Sequence, residues 1–201
     1  MQTLKEEVKN KIIEAAVKEF TAAGYEKASM RTIAKDAGIS VSNTYNYYPN
    51  KAQLFESIIE PVYLQLKNIF KISIEQSMKK GLEDNITLTF IRGIVDMLMQ
   101  MQPRERQLFI VLAEKSTGTK YEKAREEMTG LLRMHLAEVV RKPGSAPRIE
   151  EGQGFILTII AANYIDGILK ILKDYRSREW AEDNLRTLLT YHLNGIKALA
   201  V

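Results

Sequence analysis

Between Val41 and Tyr47 the chain carries Ser42, Asn43, Thr44, Tyr45, Asn46 and Tyr47, a run of amide and hydroxyl side chains with almost nothing aliphatic among them. A helix that merely packs should show an apolar stripe. This stretch is instead stocked with groups that donate to and accept from base edges and phosphates. Val41, Ser42, Asn43 and Asn46 are the candidates for reading base edges, and Asn43 has the amide that a bidentate contact to adenine needs. Lys51 follows at the expected start of another helix, where a cation and free backbone amides together suit a phosphate. Upstream, Ser29 and Arg31 are placed to hold the flanking strand.

Such side chains read DNA only from a rigid mount, and the surrounding residues supply one. Ser29 to Lys51 reads SMRTIAKDAGISVSNTYNYYPNK. Met30 to Ala37 predicts a short helix with Ser29 as its N-cap and Ile33, Ala34 and Ala37 on one face. Gly38 tolerates the positive φ that a helix end requires. Ile39 can plug the corner, and Ser40 can cap a second helix, roughly Val41 to Tyr47. Pro49 stops that helix, because it lacks an amide donor and restricts the residue before it. Two short helices joined by a Gly-containing turn are the helix-turn-helix layout, whose second helix enters a groove of double-stranded DNA. A preceding helix, about Leu4 to Ala22, holds the pair through a stripe of Val8, Ile12, Ala15, Ala16 and Phe20. Lys9, Lys11, Lys18 and Glu19 are expected to face outward, and Gly24 to end the helix.

Ser40 to Lys51 resembles the recognition helix and following turn of the TetR family of bacterial transcriptional regulators. That family carries a Tyr, then an aromatic pair, then a Lys that opens the next helix, and Tyr45, Tyr47, Tyr48 and Lys51 fall on those places. Phe20, Gly24-Tyr25, Arg31, Ile33, Ala34, Ala37 and Gly38 fit the upstream pattern. The family often has Gly-Thr-Leu where this chain has Ser42, Asn43 and Thr44. The base-contacting set is its variable part, so the resemblance bears on the fold and leaves the operator open. It covers about the first quarter of the chain. It implies that Tyr45 and Tyr47 contact backbone phosphate and thymine methyl or sugar. It also implies a second domain with a small-molecule effector pocket, and a four-helix dimer interface.

The remaining sequence reads as helices throughout. One starts at Lys51, capped by Asn50, and runs past Pro61 with Ala52, Leu54, Phe55, Ile58, Ile59, Val62, Leu66, Ile69 and Phe70 on its apolar face; Pro61 should kink it. Gly81 to Asn85 is a polar break. Further helices are expected over about Ile86 to Met101, Arg104 to Lys115 with Pro103 in the first turn, and from Thr119-Lys120-Tyr121-Glu122, a capping-box pattern, to about Arg141. Lys142 to Pro147 is a loop. The helix from about Arg148 to Lys173 is apolar enough to be expected buried on nearly all sides. Gln153, Asn163 and Asp166 argue against its being a membrane span. The last helix, about Arg178 to Leu199, carries a leucine stripe. No strand alternation is found, so the expected fold is all-α, with nine helices in two domains: a helix-turn-helix DNA-binding domain at 1–50 and a helical ligand-binding and dimerisation domain at 51–201.

Composition sets bounds on function. The 201 residues carry a formal net charge of +4, too mild to signal a nucleic-acid binder alone. The absence of cysteine removes disulfides and thiolate chemistry. The histidines, His135 and His192, are too few for a metal cage and are expected at the surface or an interface. No phosphate-cradling glycine loop, Ser-His-acid ordering or metal spacing is found, so no enzyme activity, cofactor or metal is expected. The N-terminus, with Glu6 and Glu7 among lysines, lacks a signal-peptide core, which points to the cytoplasm.

One short helix reads few base pairs, and helix-turn-helix proteins dimerise so that two such helices meet successive major grooves of a pseudo-palindrome. The last two helices are the expected homodimer surface, with Ala161, Ala162 and Gly167 allowing close crossing. Phe90, Arg92, Met97, Met101, Phe109, Met128, Asn163 and Tyr164 are the candidates to line the effector pocket. The expected protein is a sequence-specific transcriptional regulator, a dimeric repressor released from its operator by a small-molecule effector. The alternative is a DNA-binding protein of the same fold that acts architecturally or through a protein partner, without an effector.

Overall fold

The computed structural model describes residues 2–80, 93–140 and 151–199, and every regular element among them is an α-helix. In chain order these are α1 (Gln2–Lys27), α2 (Met30–Asp36), α3 (Val41–Tyr47), α4 (Lys51–Lys80), α5 (93–100), α6 (Pro103–Glu114), α7 (Ala124–Val140), α8 (Glu151–Lys173) and α9 (Arg178–Leu199). The all-α expectation holds, with nine helices and no strand among the described residues. The polar break at Gly81 to Asn85, the expected first turns of α5 and the loop Lys142 to Pro147 lie outside those residues.

The chain packs into two compact units, Met1–Gln65 with Gln102–Ala124, and Leu66–Met101 with Arg125–Val201. The first unit therefore takes in α6 and the turn after it, as well as the helix-turn-helix. Ile12, Ala16 and Phe20 of α1 are fully buried, and α1 packs on both α2 and α6. Phe20 meets the Phe55 ring edge-on at 4.9 Å, and Tyr25 meets it at the same distance. Tyr121 extends this cluster, 6.3 Å from Phe55 and 5.2 Å from Tyr63. These rings join α1, α4 and the turn after α6 into one core, since edge-on aromatic pairs add to the area they bury.

Two local readings need correction. Gly24 does interrupt α1, with φ 73° and ψ 170°, but one more helical turn follows it to Lys27. The Tyr25 amide then donates to the Lys115 carbonyl at 2.9 Å, and the Lys115 ammonium donates back to the carbonyl of Thr21. The box at Thr119 to Glu122 opens no helix. Thr119 Oγ1 accepts the Tyr121 amide at 3.0 Å, and the Glu122 carboxylate accepts the Gly118 amide at 3.2 Å, which makes a tight turn. The helix begins after it, at Ala124. A reciprocal cap of this kind sits instead at α6, where Glu105 accepts the Gln102 amide at 2.8 Å ahead of Pro103.

In the second unit α8 and α9 pack on each other, burying Leu157, Ala161 and Leu169 with Ala181, Leu185 and Leu189. At Gly167 an added Cβ would lie 2.7 Å from the tip of Leu188, so this glycine admits α9 within one chain. The expectation that α8 is buried on nearly all sides fails. Phe155 is 70% exposed, and Ile156 and Ile159 are exposed beside it, because neighbouring helices cover only part of its surface. The stretch Gly154–Lys173 is long and apolar enough to cross a membrane by length and composition. Asp166 within it, however, is paired with Arg125, and one face is occupied by α9. His135, expected near the surface, is only 1% exposed, whereas His192 is half-buried.

Candidate nucleic-acid interface

Every turn of the 29–51 segment is fixed by a named hydrogen bond. Ser29 has extended backbone and its Oγ accepts the Arg31 amide at 3.2 Å, capping α2. At the other end Gly38 takes φ 70°, while its amide donates to the Lys35 carbonyl at 3.1 Å and that of Ile39 to the Ala34 carbonyl at 3.0 Å. This paired closure satisfies the last carbonyls of α2 and reverses the chain within two residues. Ser40 Oγ then accepts the Asn43 amide at 3.1 Å, capping α3. Asn50 Oδ1 accepts the Gln53 amide at 2.8 Å, capping α4.

Thr44 decides which face of α3 looks outward. It is fully buried, and its hydroxyl donates to the Ser40 carbonyl at 3.2 Å, so its polar group is satisfied locally and its methyl packs inward. With Thr44 held inside, Ser42, Tyr45 and Asn46 are exposed, and Val41, Asn43 and Tyr47 are half-buried beside them. Arg31 is exposed on α2 and Ser29 is half-buried at its cap. The head thus presents a short polar helix on one side and keeps its only fully enclosed member of that helix on the other.

Lys51, expected to meet a phosphate, points inward. Its ammonium donates to the carbonyls of Tyr25, Glu26 and Ala28 at 2.7, 3.1 and 3.0 Å, and lies 4.6 Å from the centre of the Tyr25 ring. Glu19, expected to face solvent, accepts the Ser29 amide at 2.9 Å, and Lys18 pairs with Asp36 at 3.2 Å. None of these three roles has a signal at fixed sequence spacing, because each depends on the angle at which helices meet.

The pocket candidates are less concentrated. Phe90 and Arg92 lie outside the described residues. Phe109 is buried in the first unit. Met101, Met128 and Tyr164 are buried in the second, where Met97 is half-buried. Burial pushes the Tyr164 phenol above its ordinary range and pulls His192 down, and the two rings lie 5.2 Å apart. Asn163 is exposed, one turn along α8 from Ile159 and two from Phe155, on the uncovered row of that helix. Among the described residues no group of three or more His, Asp or Glu side chains is arranged to hold a metal ion.

Residues 12–58, which span α1, the helix-turn-helix and the start of α4, match the model of the bacterial regulatory proteins of the tetR family. Within those residues the chain is similar to the DNA-binding region of the tetR family. It is 33% identical over 70 residues to the HTH-type transcriptional regulator YhgD of Bacillus subtilis (strain 168), a stretch that covers 35% of this chain and 37% of that protein. The likeness thus spans little more than a third of that relative's length. Across nearly the whole chain the fold is similar to a TetR-like transcriptional regulator from Rhodococcus sp. RHA1, with TM-score 0.58, 19% identity, and coverage of 94% of this chain and 96% of that one. It is also similar to NalD, the secondary repressor of the MexAB-OprM multidrug efflux pump in Pseudomonas aeruginosa, with TM-score 0.54, 18% identity, and coverage of 95% and 96%. At these identities the likeness concerns the tetR fold, and it agrees with the order of helices described above.

Proposed function

We propose that this chain is a cytoplasmic, sequence-specific DNA-binding transcriptional regulator of the tetR family, a homodimeric repressor whose operator is a pseudo-palindrome. The supporting observation is α3, a helix whose exposed side chains are hydrogen-bonding groups and whose buried member, Thr44, lies on the opposite face, with α3 packed on α2. Ser42, Asn43 and Asn46 read base edges, with Val41 against a thymine methyl. Tyr45, Tyr47, Arg31 and Ser29 hold sugar and phosphate. The homodimer forms through α8 and α9, whose uncovered row carries Phe155, Ile156 and Ile159, with Tyr191 exposed on α9. A small-molecule effector enters the second unit near Met97, Met101, Met128 and Tyr164 and releases the DNA; these soft side chains adapt to a ligand without a charged anchor.

Selection of binding sites from a random duplex pool with the purified protein tests this reading. A pseudo-palindromic consensus, bound more weakly as salt rises, is the expected result. Binding without a consensus would remove sequence-specific regulation. Anisotropy titration of the selected duplex then provides the assay in which candidate effectors raise Kd.

A further inference from the structure

We infer that Lys51 is a positioning residue for base reading rather than a phosphate ligand, an inference that rests on the DNA-binding role proposed above. An ammonium has three protons, and Lys51 directs one to each of three carbonyls at the end of α1, those of Tyr25, Glu26 and Ala28, at 2.7–3.1 Å. The carbonyls at a helix C-terminus lack partners within the helix and carry its negative dipole end, so a cation there is doubly favoured. The Tyr25 ring, 4.6 Å away, supports the same charge.

Where this fastening sits gives it a role in reading DNA. The segment 29–50 leaves α1 and returns to it. At its start, the Ser29 amide is held by Glu19 of α1. At its finish, Lys51 is held by the last carbonyls of the same helix. Both ends of the reading element are therefore tied to α1, and the recognition helix α3 lies between them, its C-terminal residue Tyr47 only four positions from Lys51. Base edges accept hydrogen bonds within a narrow range of distance and angle, so releasing one tie degrades base contacts more than phosphate contacts, which tolerate displacement. The three carbonyls are partly open to water and can be solvated when Lys51 is removed, so the head is expected to stay folded.

The test uses the full-length protein, with the duplex that the wild type selects from a random pool and a scrambled duplex of equal length. Anisotropy titrations over several salt concentrations are run on Lys51→Met and Lys51→Arg, with circular dichroism and thermal melts as controls. Both variants are expected to stay helical and to lose about tenfold in the ratio of selected to scrambled affinity, with the salt slope of Lys51→Arg unchanged. Arginine should not rescue, because a planar guanidinium cannot direct three donors onto carbonyls that converge on one point. If Lys51→Arg binds like the wild type while Lys51→Met weakens both duplexes alike and lowers the slope by about one, Lys51 is a phosphate ligand and the inference is overturned. It is equally overturned if melting falls in folded variants while the affinity ratio stays put, or if both variants unfold, since Lys51 would then serve folding alone. Failure of the wild type to select any consensus is a different result, because it defeats the DNA-reading proposal before a variant is made.

Discussion

At the scale of single residues, Asn46 and Arg31 separate what specifies from what merely attaches. Both are exposed on the head. Asn46 belongs to the proposed base-reading set, so Asn46→Ala should relax preference at one operator position by about 1–3 kcal/mol and leave other positions unchanged. In the proposed reading Arg31 holds phosphate, so Arg31→Ala should weaken all duplexes alike and reduce the salt slope by about one. Competition titrations with single-base operator variants check both; identical profiles for the two mutants would sink the assignment. His135 carries a prediction of another kind. It is buried on α7, and desolvation pulls its imidazole from 6.5 to about 4. The unfolded chain takes up a proton near its ordinary pKa while the native state refuses it, so the native state is at full strength above neutral pH. Stability is lost as pH falls below about 6.5 and levels off once the native state also protonates. Between pH 7.5 and 5 this amounts to about 2 kcal/mol. His135→Leu should remove that part of the acid sensitivity, measured as the shift in urea midpoint between the two pH values; an undiminished shift would show that other groups cause it.

At the scale of elements, the corner between α2 and α3 is the most exacting piece of backbone in the head. Gly38 has φ 70°, and an added Cβ would meet nothing within 4 Å, so Gly38→Ala has only a conformational cost. That cost is about 1 kcal/mol, and Asn, which visits this region more readily, should lose less. Equal melting temperatures for wild type, Ala and Asn variants would refute the account. The corner was legible in the sequence because its determinants are local: Ser29, Gly38, Ser40 and Asn50 each act on backbone within four residues of themselves. Lys51 and Glu19 were misread because their partners lie 23–26 and ten residues away and are brought close by the break at Gly24. Thr119 to Glu122 failed for a related reason, since a cap pattern makes a turn as readily as a helix start when the following residues do not continue the spiral. The row of α8 left open was illegible too, because apolar composition reports what can be buried and not what neighbours are present to bury it.

At the scale of the whole molecule, the proposed dimer through that uncovered row of α8 would set how many heads meet the DNA. Phe155 and Ile159 stand one helical turn apart, exposed with Ile156, and Tyr191 on α9 is 73% exposed. Contiguous large apolar side chains left to water on adjacent, packed helices mark an association surface. Two copies joined there carry two recognition helices, and the second contact then forms at the high effective concentration set by the first. Phe155→Asp with Ile159→Asp should leave each chain folded, because both side chains are already exposed and no core is disturbed. The same change places like charges opposite one another across a two-fold interface, which opposes pairing. Sedimentation of the wild type at micromolar concentration should give a dimer and that of the double variant a monomer, with matching helical circular dichroism. The operator should then be bound at least about a hundredfold more weakly, while a half-site duplex is bound about equally by both proteins. A double variant that stays dimeric would move the interface off this row of α8. One that becomes monomeric yet keeps full operator affinity would mean that a single head is sufficient to read the site.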